Sequence, residues 1–182
     1  MSTNISLDFV LVADEVDRSG RKYTFEASDA ERAVLTERFG LIDLANFRAD
    51  VEVKDQGEAQ GIFVSGSLRA SLTQRCVVTL EAVHEDVATD FTLMLVEPEM
   101  ADRMDEEEVY LDPDAPEYDA IEDGKIPLGD VIAQTLSINM NPYPRAEGVE
   151  LNIENKKGIS VNEPQEKRPN PFAVLEKLRD ES

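Results

Sequence analysis

"GIFVSGSLRASLTQRCVVTLEAVHEDVATDFTLMLV", residues 61–96, is the stretch that decides the fold class. Two runs within it keep their apolar and small residues at alternate positions, which is typical of strands with one buried face. The first run contains Ile62, Val64, Gly66, Leu68, Ala70 and Leu72. The second contains Val83, Val87, Phe91, Leu93 and Leu95. Because only about ten residues separate these two long strands, the sequence predicts a large antiparallel hairpin.

Shorter alternating segments lie upstream of the hairpin and predict further strands of the same sheet. One set is Ile5, Leu7, Phe9 and Leu11, and another is Phe47, Ala49, Val51 and Val53. Residues 23–27, "YTFEA", predict a short fifth strand. Gly57 and Gly61 mark the turn into the hairpin.

Two segments carry the periodicity and the capping residues of helices. In "SDAERAVLTERFG", residues 28–40, Ser28 and Glu31 form a capping box and Gly40 is placed as a C-terminal cap. In "PLGDVIAQTLSINM", residues 127–140, the apolar face consists of Leu128, Val131, Ile132, Thr135 and Leu136. The predicted fold class is therefore α+β: one domain over residues 1–145, with an antiparallel sheet of about 4–6 strands covered by two helices.

Negative charge dominates the composition and restricts the classes of partner. The chain has 39 Asp and Glu against 18 Lys and Arg, a net charge of −21, so its surface repels phosphate backbones and attracts basic proteins. Residues 97–123 hold thirteen acids and one base, Arg103. We expect this segment to be a long acidic loop, because it cannot bury enough apolar surface to fold alone. Its densest part is the candidate partner-binding run Asp105, Glu106, Glu107 and Glu108.

Compartment and membrane association follow from simple features of the chain. No apolar run approaches the ~18 residues that a membrane span needs. The first residues lack a basic region and a small-residue cleavage site, so we expect no secretory signal. A single cysteine, Cys76, fits a reducing compartment. The protein is therefore expected to be cytoplasmic, with neither DNA nor a membrane among its partners.

Residues able to carry chemistry are few. His84 is the single histidine, so the sequence offers no histidine-based metal cluster, and no glycine-rich phosphate loop occurs. An enzyme with Cys76 as nucleophile and His84 as base is the one catalytic alternative, and a hairpin connection offers it no evident pocket. The sequence predicts no catalytic residue, no metal site and no cofactor.

The chain ends in a short amphipathic motif, "RPNPFAVLEKLRDES", residues 168–182, after a polar linker predicted over residues 146–167. Asn170 suits the N-cap and Pro171 the first helical position. Phe172, Leu175 and Leu178 then lie along one side of a helix too short to be stable alone. This flexible tail could bind its own domain or a partner, and the long linker favours partner binding in a groove.

Three segments resemble the YceD family, in the order and at the spacing expected of it. They are residues 70–83, "ASLTQRCVVTLEAV", residues 126–148, "IPLGDVIAQTLSINMNPYPRAEG", and residues 170–179, "NPFAVLEKLR". The "NPYPR" segment is similar to the alphaproteobacterial-like branch. The matching motif residues are Gln74, Cys76, Asn141, Pro142, Tyr143, Pro144, Arg145 and Asn170.

The resemblance implies a role in accumulation and processing of the large-subunit (23S) ribosomal RNA, with no catalytic residue assigned. Many relatives carry a C-x-x-C motif where this chain has residues 73–76, and some have a second cysteine group near "NPYPR". Paired motifs of that kind would form a zinc site. With one cysteine remaining at Cys76, no bound zinc is expected here.

Charge and resemblance together predict a non-enzymatic factor in synthesis, processing or stability of 23S rRNA and in large-subunit biogenesis. The expected partner is a large-subunit ribosomal protein or a pre-ribosomal particle, and direct contact with RNA is left open. One alternative is an acidic nucleic-acid mimic. Another is an acidic chaperone for a basic protein unrelated to ribosomes.

Overall fold

The computed structural model describes residues 2–57, 60–107 and 117–149, all within one compact unit. These described residues form an α+β fold with a six-stranded mixed sheet, a two-stranded sheet and three α-helices. The strands are β1 (Thr3–Ile5), β2 (Leu11–Val12), β3 (Arg21–Glu26), β4 (Asp43–Asp55), β5 (Ile62–Arg75), β6 (Ala82–Val96), β7 (Tyr118–Ala120) and β8 (Lys125–Ile126). The helices are α1 (Asp29–Phe39), α2 (Pro98–Glu106) and α3 (Leu128–Asn139), with a 3-10 turn at Ala13–Glu15. The predicted fold class is confirmed.

The predicted long hairpin is formed by β5 and β6. Its antiparallel register runs without a shift from Ile62 opposite Leu95 to Arg75 opposite Ala82. On the other side, β5 pairs antiparallel with β4, and β4 with β3. Gly66 lies where β4 approaches closely: a Cβ on it would lie 2.4 Å from the carbonyl oxygen of Asp50, so only glycine fits.

The edges of the large sheet differ from the purely antiparallel sheet that the sequence predicts. The strand order is β1-β3-β4-β5-β6-β7, and both outer strands pair in parallel, β1 with β3 and β7 with β6. A parallel neighbour requires a crossover connection. Helix α2 lies in the connection between β6 and β7.

The alternating set from Ile5 to Leu11, predicted as one strand, is divided between two sheets. Ile5 ends β1, whereas Leu11 begins β2, which pairs antiparallel with β8. Between them the chain packs against the start of α3, where a Cβ on Gly129 would lie 1.9 Å from the Leu7 carbonyl oxygen. The prediction of a single strand was wrong. Both strands and the turn between them place apolar side chains in the same core, so the alternating sequence pattern continues across the turn.

Helix α1 begins and ends at the predicted caps. The Ser28 hydroxyl accepts the N–H of Glu31, the Glu31 carboxylate accepts the N–H of Ser28, and Gly40 has a φ of 64° at the C-cap. The same carboxylate accepts the N–H of Leu7 at 2.6 Å, which ties the segment after β1 to the helix. Although burial opposes it, hydrogen bonding from Ser28 and Leu7 lowers the pKa of Glu31.

The described part of the acidic segment contains α2 and β7, so the prediction of a long loop over residues 97–123 was wrong for that part. Pro98 occupies the first turn of α2, and Ala101 is buried with Met100 and Met104 half-buried around it. Packing of this one apolar side outweighs the unfavourable composition, since tertiary contacts override local propensity. The segment "VYL", residues 109–111, lies outside the described residues.

The core lies between the inward face of the sheet and the helices α1 and α3. Phe25 and Phe47 meet edge to face with ring centroids 5.2 Å apart, and both are fully buried. Leu35 of α1 joins this cluster. Leu128, Val131, Ile132 and Leu136, all predicted to lie on one face of α3, are buried in the same cluster.

Substitution of Leu136 by Asp should unfold the domain, because it removes a fully buried side chain and places an unpaired charge in the core. We expect the free energy of unfolding to fall by more than ~4 kcal/mol in denaturant titrations. Ile138→Asp, on the same helix with a side chain 80% exposed, is the matched control and should keep the native melting temperature. A folded Leu136→Asp protein would contradict the assignment of this face to the core.

Candidate functional site

The turn that joins β5 to β6 is held together by its own backbone. The Cys76 N–H donates to the carbonyl of Glu81 at 2.7 Å, and the Leu80 N–H donates to the carbonyl of Cys76 at 3.0 Å. Leu80 closes the turn with a φ of 63°. Its side chain is 67% exposed, and Val77 and Val78 beside it are also exposed. The hairpin therefore ends in a rigid tip with apolar side chains on its surface.

The chain after α3 returns to this tip and is bonded to it. The Val77 N–H donates to the carbonyl of Pro144 at 2.9 Å, and the Ala146 N–H donates to the Cys76 Sγ at 3.4 Å. The Gln74 Nε2 donates to the carbonyl of Asn141 at 3.0 Å. Two segments about 70 residues apart in sequence thus form one cluster. We call it the tip cluster, and it consists of Gln74, Cys76, Glu85, Asn141 and Pro144.

Glu85 is the residue of this cluster that the sequence analysis missed. One carboxylate oxygen accepts the Gln74 amide at 2.8 Å, and the other accepts the backbone N–H of Asn141 at 2.9 Å. Glu85 thereby joins both halves of the cluster. A signal for it was present, since a charged residue interrupts the inward alternation between Val83 and Val87.

The structure brings together the two groups of motif residues that it describes, those at 74–76 and those at 141–145. Pro144 is buried, whereas Asn141, Pro142, Tyr143 and Arg145 are exposed. The Asn141 side chain accepts the Tyr143 N–H at 2.9 Å, which shapes the turn that presents the Tyr143 ring to solvent. One exposed aromatic side chain and several exposed aliphatic side chains therefore surround the hydrogen-bonded cluster.

The thiol of Cys76 is fully buried and surrounded by donors. The backbone N–H groups of Thr79, Ala146 and Val78 point at its sulfur from 3.4, 3.4 and 3.5 Å. Hydrogen bonding from Thr79 above all, followed by the N–H groups of Ala146 and Val78, lowers the pKa of the Cys76 thiol to about 6, although burial opposes this. The donors of the cluster therefore favour the ionised form of the Cys76 thiol.

Cys76 and His84 do not form a catalytic pair. The His84 Nε2 lies 3.4 Å from the Asp86 carboxylate on the exposed side of β6, whereas the donors to Cys76 come from the tip and from Ala146. Across the described residues, no group of three or more His, Cys, Asp and Glu side chains could hold a metal ion.

The described acids of the predicted partner-binding run lie at the end of α2. Asp105 accepts a hydrogen bond from the Tyr118 hydroxyl at 2.6 Å, which connects α2 to β7. Glu106 and Glu107 are exposed. The remaining candidates lie outside the described residues, so their role stays a prediction: Glu108, Asn170, Pro171, Phe172, Leu175 and Leu178. None of the helices in the described part is long and apolar enough to cross a membrane.

Fold and tip cluster together define a class: a strongly acidic α+β protein built on one long hairpin, with its bonded cluster at the hairpin tip. The chain belongs to the YceD family, because the family model described as "Large ribosomal RNA subunit accumulation protein YceD" matches residues 64–179. That match includes the hairpin, the tip cluster and α3. No curated protein and no solved structure matched the chain.

The ionisation of Cys76 provides a test of the tip cluster. We expect the ultraviolet absorbance of its thiolate to titrate in the folded protein near pH 6. The Thr79 hydroxyl also donates to the Glu81 carboxylate at 3.1 Å. Thr79→Val removes this hydroxyl and should raise the midpoint, whereas Thr79→Ser should keep it. Because folding lowers the pKa, the ionised thiol stabilises the fold increasingly as pH rises from about 6 toward the ~8.5 of an unfolded cysteine. That contribution is lost as pH falls through about 6, and a midpoint near 8.5 in the folded protein would contradict the assignment.

Proposed function

We propose that this protein is a non-enzymatic factor in the synthesis, processing or stability of 23S rRNA during large-subunit biogenesis. The observation that carries the proposal is the family match over residues 64–179, whose description names accumulation of large-subunit ribosomal RNA. The protein acts by binding a basic protein partner, a large-subunit ribosomal protein or a pre-ribosomal particle.

The charge of the chain supports a protein partner over RNA as the direct contact. A net charge of −21 repels phosphate groups at long range and attracts basic proteins. The acids of α2 are exposed, and Arg103 is the one base within that helix. A basic protein bound to this surface is shielded from premature contact with RNA. The acids do not bind RNA themselves. The basic partner can therefore leave this protein when it docks on its RNA site.

Helix α2 also supports a second candidate function, an acidic mimic of nucleic acid. Glu99, Asp102 and Glu106 project from an ordered helix, so part of the acidic segment is rigid enough to imitate a row of phosphates. A mimic occupies the nucleic-acid site of its partner. Competition therefore separates the two functions: unrelated RNA should displace the partner from a mimic, whereas only RNA that contains the partner's own 23S rRNA site should displace it from a shielding factor.

Deletion of the gene should reduce 23S rRNA and lead to accumulation of large-subunit precursors in sucrose gradients. Expression of the full chain in the deletion strain should restore both. The matched control is Val34→Asp, at an exposed valine on α1 outside the acidic surface and the tip cluster. It should stay folded and restore the rRNA, whereas the unfolded Leu136→Asp should not. Unaltered precursors and unaltered rRNA in the deletion strain would refute the proposal.

Neutralising the acidic run should weaken partner binding without loss of stability. The variant is Asp105→Asn/Glu106→Gln/Glu107→Gln/Glu108→Gln. The amide oxygen introduced at position 105 can still accept the Tyr118 hydroxyl. We therefore expect the melting temperature to change by less than ~2 °C. The variant should retain less ribosomal protein in pull-downs. In the native protein, this retention should decrease as salt is added, because charges are screened within ~8 Å at physiological ionic strength. The control neutralises Asp14, Glu15, Glu26 and Glu37, which are exposed elsewhere on the domain. Equal loss in both variants would show that only net charge matters.

A further inference from the structure

Strand β6 carries a long stretch with a neighbour on one side only. It pairs with β5 along its whole length, but β7 pairs with it only through residues 94–96. Within the described part of the chain, residues 82–93 have no strand on their second side. A sheet edge of this length is a template for another strand, since its backbone N–H and C=O groups are already aligned.

The direction of the unpaired groups follows from the short β7 pairing. The Met94 N–H donates to the carbonyl of Glu117 at 2.8 Å, away from β5. Alternate residues of a paired strand direct their backbone groups to the same side. His84, Asp86, Ala88, Asp90 and Thr92 therefore direct their N–H groups outward at this edge. Among their carbonyl groups, that of Asp90 accepts the Thr89 hydroxyl at 3.1 Å.

A groove of about 830 Å³ runs beside this edge, between β6 and α3. We call it the edge groove, and its apolar lining consists of Phe91, Leu93, Val131 and Ile138. Phe91 and Leu93 face the core side of the sheet but remain only half-buried. Ile138 is 80% exposed on the opposite wall. Side chains of a strand added next to β6 would enter this groove at every second position.

The rim of the edge groove is acidic. Asp105, Glu117 and Asp119 line it, and no Lys, Arg or His of the described residues does so. On the other face of the sheet, Asp86 and Asp90 are exposed beside the same edge. An occupant with cationic side chains is favoured on both faces, whereas acidic segments are repelled.

A second copy of this chain does not fit the edge. Pairing of two β6 edges would bring Asp86 and Asp90 of each copy next to those of the other, and like charges on neighbouring strands are destabilising. Inward and edge charges of this kind prevent pairing between identical chains. With −21 on each chain, the net charge adds long-range repulsion.

We propose that residues 84–92 of β6 bind an extended basic segment of a partner protein by strand addition. Alternate apolar side chains of that segment enter the edge groove, and the intervening Lys or Arg side chains lie beside Asp86 and Asp90. Main-chain hydrogen bonds to β6 supply affinity, and the groove selects the alternating pattern. This inference rests on the proposed function and deepens it, because it identifies which part of the acidic protein recognises the basic partner.

The test uses the full chain and a fluorescein-labelled peptide of alternating lysine and valine, about ten residues long, which matches the usual length of a strand. A control peptide has the same composition with lysines and valines in separate blocks. Fluorescence anisotropy gives both affinities, and amide hydrogen exchange followed by NMR reports protection at Asp86, Ala88 and Thr92. We expect tighter binding of the alternating peptide and slower exchange of these outward N–H groups.

Two variants separate strand addition from general attraction. Ala88→Pro removes an outward N–H while the ladder to β5 remains, and it should weaken the alternating peptide about tenfold. Ile138→Ser removes apolar surface from the groove and should weaken it too. Its matched control is Val34→Ser, an exposed valine on α1. Melting curves check that each variant is folded.

Three results would overturn the proposal: equal affinity for both peptides, binding without protection of the β6 edge, or slow exchange at that edge in the free protein. The last would mean that the chain itself already covers the strand. These outcomes are independent of the deletion strain. Loss of 23S rRNA on deletion together with no strand addition would keep the proposed function and reject this binding site.

Discussion

The unbroken backbone ladder between β5 and β6 is the interaction on which the rest of the molecule depends. Its register extends from Ile62 opposite Leu95 to Arg75 opposite Ala82. The same two strands provide the inward side chains of the core, the turn of the tip cluster and the strand edge beside the groove. A slip by one residue would turn the buried side chains of a strand toward solvent, so burial fixes the register of the ladder. That register then sets the positions of all three features.

Two glutamates extend this framework to distant parts of the chain. Glu31 accepts the N–H of Leu7 at 2.6 Å, and Glu85 accepts the N–H of Asn141 at 2.9 Å. In each case a carboxylate on a regular element satisfies the backbone of an irregular segment. Hydrogen bonds to charged acceptors are stronger than neutral ones, so they suit segments that lack a ladder of their own. In the tip cluster, hydrogen bonds of this kind join residues 74–76 and Glu85 with residues 141–146.

The acidic features of the described residues lie together on one side of the domain, the side on which we propose that a basic partner binds. The acids of α2 and β7 and the rim of the edge groove belong to neighbouring elements, since Asp105 bonds Tyr118 and β7 pairs with β6. The exposed apolar side chains of the tip lie at the far end of the same hairpin. In the proposed complex, electrostatic attraction to the acidic surface would speed association, and apolar contacts in the edge groove would supply selectivity.

The sequence by itself determined the elements whose causes are local. Period-two alternation identified the hairpin, and the capping box with Gly40 identified α1, because neighbouring residues create both patterns. The buried face of α3 followed from its spacing, and the acidic character followed from composition. Tertiary structure alone decided the split between Ile5 and Leu11, the parallel edge strands, the folding of α2 and the role of Glu85. Each of these depends on partners distant in sequence. Short strands are stable only beside a neighbouring strand, and α2 forms only where Ala101 can be buried. Glu85 joins the tip cluster only because the fold brings Gln74 and Asn141 to it.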